Sequence, residues 1–249
     1  MLSEPSIYTI FTPQGKEKPR FGIVAGMKRL PVTPQEAVAL QQELRGKVRL
    51  VPLRRAVSLI GGCDVSMDRA APEGFGGFVT LSYPELYPRA QSVVKEKIPF
   101  PYVPGLLSFR EVPTLLKAWD GLKQKPGVVV VDGVGIAHPR RMGIATHLGL
   151  LLKVPTIGCA KSVLTGYYDE PGAEPGDYSY LRDPRTEEIL GAALRTKRGV
   201  KPVFISPGHL ITLEDSLKII KKCVVRHRLP EPTRLAHAAV NEYRLRSAR

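Results

Sequence analysis

Three acidic residues stand where acids are costly. Asp132 ends a run of four valines, Val128–Val131, in the segment "VVVVDGVGIAHPRRMG". Asp64 lies in "GGCDVS", beside Leu59, Ile60, Cys63 and Val65, and Glu111 follows "LLSFR". A carboxylate in an apolar setting loses hydration it cannot replace, so each needs a compensating charge. A divalent cation supplies one, and hard carboxylate oxygens suit Mg²⁺, with Mn²⁺ able to substitute. Asp64 and Asp132 are distant in the chain, so they converge only if their strands lie side by side. Singly, each acid reads more readily as a cap or turn residue, Asp-Gly being an ordinary turn pair. Together, with Arg140 and Arg141 close behind, they suit a metal centre facing an anionic substrate. A nucleotide loop at "DGVGIAHP" fits poorly: the third glycine is missing, and an acid at the strand end repels a pyrophosphate.

The composition agrees with an anionic partner. Lys and Arg number 37 against 23 Asp and Glu, a formal net charge of +14. Such a cation attracts polyanions, of which nucleic acid is the commonest in a cell, although a generally basic soluble protein has the same balance. Cys63, Cys159 and Cys223 are widely spaced and form no CxxC pair. That pattern favours free thiols in a reducing cytoplasm over disulfides or zinc. No apolar run approaches a membrane span, and residues 1–31 lack the features of a secretory signal, so a cytoplasmic protein is expected.

The elements that must carry these residues follow from periodicity. Residues 1–31 read as an irregular leader, and 32–249 as a single domain. Thr33, Pro34 and Glu36 make a capping box for a helix whose apolar stripe is Ala37, Val38, Leu40 and Leu44. Three strands are predicted at 56–66, 75–83 and 90–99, as an antiparallel meander. A proline-bounded turn region spans 101–113 and a helix about 114–122. The valine strand comes next, buried on both faces by its pattern. A helix at 143–154, a strand at 155–160 and an exposed loop at 166–186 follow. Strands at 188–196 and 202–206 lead to helices at 212–226 and about 234–245. A meander followed by helix–strand alternation predicts an α/β fold, a mixed sheet with helices on both faces, in the order of the ribonuclease H-like architecture.

Several stretches resemble the endonuclease V family of deoxyinosine 3′ endonucleases. They are "GCDVS" (62–66), "PYVPGLLSFRE" (101–111), "DGVGIAHPRRMGIATHLG" (132–149), "TIGCAKS" (156–162), "ISPGHL" (205–210) and "PEPTRLAH" (230–237). They occur in the family's order from about Pro34 to Arg246, and "HPRRMGIATHLG" with "RLAH" is closer to bacterial and archaeal members than to animal ones. The resemblance implies a ribonuclease H-like fold and Mg²⁺-dependent cleavage of DNA at the second phosphodiester bond 3′ to hypoxanthine. The damaged base stays in the nicked strand, so other repair proteins must act afterwards. By position Asp64 and Asp132 match the family's metal-binding aspartates, Glu111 its third acid, and Lys161 and His237 its basic residues near the reaction. Tyr102 falls in the family's "PYIP" wedge, here "PYVP" with Val103 replacing the isoleucine.

Each of these residues also has a plainer reading. Lys161 could end a strand in solvent, His237 could pack on the last helix, and Tyr102 could be a core tyrosine in a rigid loop. His138 is balanced between lining a lesion pocket and bracing its loop; His209 is weaker. Gly105 and Gly133–Gly135 could let backbone approach a flipped base closely. Arg140, Arg141 and the basic residues of "RTKRGVK" (195–201) are candidate phosphate contacts, although any one of them could be a solvated surface charge. The expected partner is DNA containing deoxyinosine. The alternatives are an endoribonuclease specific for inosine in RNA or single strands, and a non-catalytic nucleic-acid-binding protein. An oxidoreductase built on the GxG turn is a third, distant class.

Overall fold

The structure, a computed structural model, describes residues 33–67, 72–98 and 100–247. The leader expected at 1–31 lies outside them. One mixed sheet of eight strands runs through the molecule in the order β3-β2-β1-β4-β5-β8-β7-β6. The meander is β1 (Leu59–Met67), β2 (Glu73–Ser82) and β3 (Pro88–Lys97). β1 also pairs in parallel with β4 (Val128–Val131), with Cys63 opposite Val131. β4 pairs in parallel with β5 (Thr156–Ala160), and β5 runs antiparallel to β8 (Val203–His209). β7 (Ile189–Leu194) and β6 (Tyr178–Arg182) complete the far edge.

Five helices accompany the sheet. α1 (Pro34–Arg45) carries the expected capping box, with Thr33 and Glu36 exchanging hydrogen bonds of 3.2 Å. α2 (Leu107–Asp120) and α3 (Ile144–Leu152) cover one face; α4 (Leu213–Cys223) and α5 (Glu231–Ser247) cover the other. The valine strand displays both. Val128 and Val130 belong to the core beneath α4 and α5, while Val129 and Val131 belong to the core beneath α2 and α3. Alternate side chains point to opposite faces of a strand, so two buried faces demand an unbroken apolar run. The same alternation puts Asp64 on the α5 face, because Ile60 is on that face and Cys63 is on the opposite one.

Three expectations shift. The segment 101–113 is not all turn: α2 begins at Leu107 and runs through Pro113, placing Glu111 on a helix. Burial of Phe109, Val112, Leu115 and Ala118 holds the helix despite the proline. The loop at 166–186 contains β6, an edge strand in which only Leu181 is buried, so it shows no alternation. β8 continues past 206 through Pro207 and Gly208, where its pairing with β5 shifts register. Among the described residues no helix is long and apolar enough to cross a membrane.

The chain crosses itself most tightly where α5 meets β1. A Cβ on Gly62 would lie 1.9 Å from the carbonyl oxygen of Pro232. Only a residue without a side chain lets the start of α5 lie on the strand that carries Asp64. Gly62→Ala should therefore lower stability by about 1–3 kcal/mol through overpacking, measured by denaturant unfolding; an unchanged midpoint would contradict this packing.

Candidate active site

Parallel pairing of β1 with β4 ends in two acids. Asp64 follows Cys63, Asp132 follows Val131, and those neighbours are register partners. The Asp132 amide faces the Cys63 carbonyl at 3.4 Å. α5 adds His237 from the Asp64 side of the sheet. One ligand atom each from Asp64, Asp132 and His237 lie within 4.8 Å of one another. Lys161, immediately after β5, donates to Asp132 Oδ2 at 2.5 Å. Four elements distant in the chain thus converge at one end of the sheet.

A relay of hydrogen bonds fixes the imidazole. Ser66 Oγ donates to Asn241 Oδ1 at 3.1 Å, and Asn241 Nδ2 lies 2.9 Å from His237 Nε2. Asn241 Nδ2 can only donate, so His237 Nε2 accepts and Nδ1 carries the proton. That proton faces Asp64 Oδ2 at 2.8 Å. Sequence reasoning did not find Ser66 and Asn241. Their signal is spacing: Asn241 is one helical turn beyond His237, and Ser66 is two strand positions beyond Asp64, on the same face.

Glu111 approaches from the other face, on α2. It lies outside the tight group but within its field. Burial raises its pKa to about 8, the charges of Asp64 and Asp132 add to the rise, and Arg110 opposes it. Burial also raises Asp64, with Asp132 adding and His237 opposing. The buried thiol of Cys63 is pushed well up by burial and then by all three acids. Burial works against the charge on Lys161, but its bond to Asp132 and the fields of both aspartates outweigh this and raise its pKa. These are the marks of negative charge gathered faster than the protein's own cations offset it.

The remaining candidates form a second cluster around the Gly105 carbonyl. It accepts from His138 Nε2 at 3.1 Å, Arg140 Nη2 at 2.8 Å and Gln41 Nε2 at 3.1 Å. Gly105 itself has φ +77°, a left-handed conformation suited to glycine. His138 Nδ1 accepts from the Arg140 amide at 3.1 Å, which fixes the proton on Nε2. Burial and the nearby Arg140 charge depress the His138 pKa to about 4, so its ring is neutral at physiological pH. Tyr102, in the turn leading to Gly105, is 68% exposed and not a core residue. Gln41 escaped the sequence reading. It is fully buried on α1, one turn beyond Ala37, and ties that helix to both Gly105 and the Met142 carbonyl.

Several basic candidates are engaged internally. Arg140 also donates to Gln41 Oε1 at 2.5 Å. Arg141 pairs with Asp183 at 2.7 Å and Glu188 at 2.8 Å. Arg195 is buried against the carbonyls of Gly172, Pro171 and Val200 and the carboxylate of Glu170. Gly133 and Gly135 serve internal packing: Cβ atoms there would meet Ile144 at 2.5 Å and the Pro207 carbonyl at 2.1 Å. His209 Nδ1 accepts from the Arg49 amide at 3.2 Å, a bracing role.

The raised pKa of Glu111 carries a sign. Its folded value lies above the ordinary carboxylate value, so its proton favours the fold. That contribution is complete below about pH 4.5 and is lost as pH rises through about 8. Glu111→Gln keeps the shape and removes the titration. Without metal, the variant should gain stability over the parent across that window and level off above it. Parallel pH–stability curves would contradict the charge coupling.

Comparison with known proteins places this geometry. The family model for endonuclease V matches residues 42–238. The endonuclease V of Myxococcus xanthus is 48% identical over 219 residues, covering 88% of this chain and 92% of the relative. The crystal structure of endonuclease V from Streptomyces avermitilis superposes with a TM-score of 0.83 at 40% identity, covering 88% and 96% of the two chains. Endonuclease V of Ciona intestinalis, solved with a 24mer DNA containing an inosine followed by a ribo-adenosine, superposes with a TM-score of 0.75 at 30% identity, covering 86% and 98%. Fold, shared length and identity agree, and the chain belongs to the endonuclease V family.

Proposed function

We propose that this chain is a DNA repair endonuclease that recognises deoxyinosine and hydrolyses the second phosphodiester bond 3′ to it with Mg²⁺, or Mn²⁺ in its place. The observation that carries the reading is the meeting of Asp64, Asp132, His237 and Lys161 at the sheet end. The inosine-containing DNA held by the Ciona intestinalis relative supports the choice of substrate. The donor chemistry suits a divalent cation: two carboxylates offer hard oxygens. Asp64 and Asp132 would hold it, and Glu111 would bind it or its water. Bound there, the cation supplies Lewis-acid polarisation of a phosphoryl oxygen and a more acidic water.

The protein's own groups do the rest. Lys161 stays protonated beside Asp132, so a phosphate reaching the site meets a fixed positive charge. His237 holds its proton at Nδ1, with Nε2 occupied by Asn241, so its Nδ1–H is the donor that can stabilise a leaving oxygen by a hydrogen bond. Ser66 and Asn241 keep that tautomer. The Gly105 cluster fixes the turn that presents Tyr102, whose exposed ring is placed to occupy the gap left by an extruded base. Neutral His138, with its one proton engaged on the Gly105 carbonyl, braces the turn and adds no charge to a base pocket. Hypoxanthine presents an O6 acceptor and an N1–H where adenine presents the reverse, and a deaminated pair is easier to open. The three cysteines are buried and free, in keeping with the reducing cytoplasm proposed for the protein.

A second reading, cleavage of inosine-containing RNA, is favoured by the ribo-adenosine that follows the inosine in that relative's complex. Matched DNA and RNA strands bearing one inosine separate the two by rate. A non-catalytic binder would have little use for acids clustered beside phosphate.

With labelled duplexes containing inosine, uracil or no lesion, the parent should nick only with a divalent cation and chiefly at the second bond 3′ to inosine. Asp132→Asn should slow nicking by at least about 100-fold; near-parental nicking would remove the metal assignment. Tyr102→Ala should reduce the preference for inosine over adenine roughly tenfold while leaving cation affinity unchanged. Loss of cation affinity with preference intact would assign Tyr102 another role.

A further inference from the structure

A basic cleft of about 710 Å³ opens at the same end of the sheet, between the end of β7 and the end of α4. Lys197, Lys221, Arg226 and His227 line it, and no acidic residue does. Of the acids in the neighbouring loop, Glu170 pairs with Arg195 of the lining, Glu174 with Arg198, and Asp177 Oδ2 accepts from the Glu174 amide. Among the described residues, Lys197 and Arg226 have no carboxylate within ion-pair distance, and Lys221 rests over the Tyr178 ring at 4.9 Å. Thr196 also lines the cleft. It is 5% exposed, and its hydroxyl has no hydrogen-bond partner. That hydroxyl is enclosed in the cleft wall, so the cationic side chains carry the recognition.

Position connects the cleft to the site already described. Leu194 of β7 pairs with Val203 of β8, and Phe204 pairs with Ala160, the residue before Lys161. Arg228 ties the ends together, donating to the Lys161, Lys201 and Pro202 carbonyls at 2.8 Å each. Three strand spacings separate β4 from β7, about 14 Å. Because a strand winds as it rises about 3.4 Å per nucleotide along the axis, its phosphates lie further apart than that, and about 14 Å in a straight line spans roughly two steps. We propose that this cleft is a subsite for a backbone phosphate of the nucleic-acid substrate, about two nucleotides from the phosphate at Asp132. The proposal rests on the nucleic-acid reading above and adds a contact outside the lesion and the cut.

Binding without cleavage tests it. Fluorescence anisotropy in EDTA measures the affinity of inosine-bearing duplexes whose arms are lengthened one side at a time. In the parent, lengthening one arm past about two base pairs should tighten binding about tenfold, one charge-assisted contact. The triple variant Lys197→Gln, Lys221→Gln, Arg226→Gln should cut that step below twofold and reduce the salt slope by about one. Val225→Lys, at the 62% exposed rim residue, should enlarge the step. A triple variant that keeps the full step, or loses affinity equally for short and long duplexes, overturns the cleft. So does a parent with no step on either arm. If the step behaves as expected but inosine is not preferred over adenine, the deaminated-base reading fails and the cleft stands.

Discussion

Two like charges held at the ends of adjacent parallel strands are the constraint on which the structure turns. β1 and β4 pair because their residues are apolar on both faces, and that pairing leaves Asp64 and Asp132 no freedom to separate. Burial and mutual repulsion then raise the Asp64 pKa. The fold answers with the donors it can bring near: the Lys161 ammonium from the next strand, at 2.5 Å from Asp132, and the His237 N–H at 2.8 Å from Asp64. Both partners come from elements adjacent to the acids in space and remote in sequence. Burial first, and then the two aspartate charges, raise the Glu111 pKa to about 8. In the function proposed here a divalent cation would complete the compensation, and a phosphodiester drawn to it would be the substrate.

The glycines explain how so many elements reach one point. Gly62 lets α5 lie against β1, and Gly135 lets its turn lie against β8; in each case a side chain would collide with a carbonyl. Without the first approach, His237 and Asn241 would stand away from the acids they complement. Gly105 differs: its left-handed turn presents Tyr102 while its carbonyl collects three donors. One half of the site therefore depends on close packing and the other on a braced loop. In the proposed function the first half would serve chemistry, which needs fixed charges, and the second base recognition, which needs an exposed ring on a stiff support.

Much of this was legible in the residues. The valine run predicted a strand buried on both faces, the capping box of Thr33 and Glu36 predicted α1, and the acids in apolar settings predicted a place where charge must be compensated. The meander and the mixed sheet followed from element order. Other features were hidden for physical reasons. Pro113 argues against a helix locally, and only the burial of its neighbours overrides it, so local sequence places Glu111 within a turn region rather than on a helix. β6 buries one residue, and a strand without alternation looks like a loop. Gln41, Ser66 and Asn241 act through contacts 64, 175 and 4 residues away, and the two long contacts have no trace in local sequence. Arg141 and Arg195 read as phosphate contacts because their carboxylate and carbonyl partners arrive from distant loops.

Calorimetric titration of Mn²⁺ into the protein, alongside the Asp64→Asn variant, addresses the central claim most directly. Saturable binding by the parent, weakened at least about tenfold by loss of one carboxylate charge, is the result this account requires. Equal binding by both proteins, or none by the parent, would mean that the paired acids answer to something other than a cation.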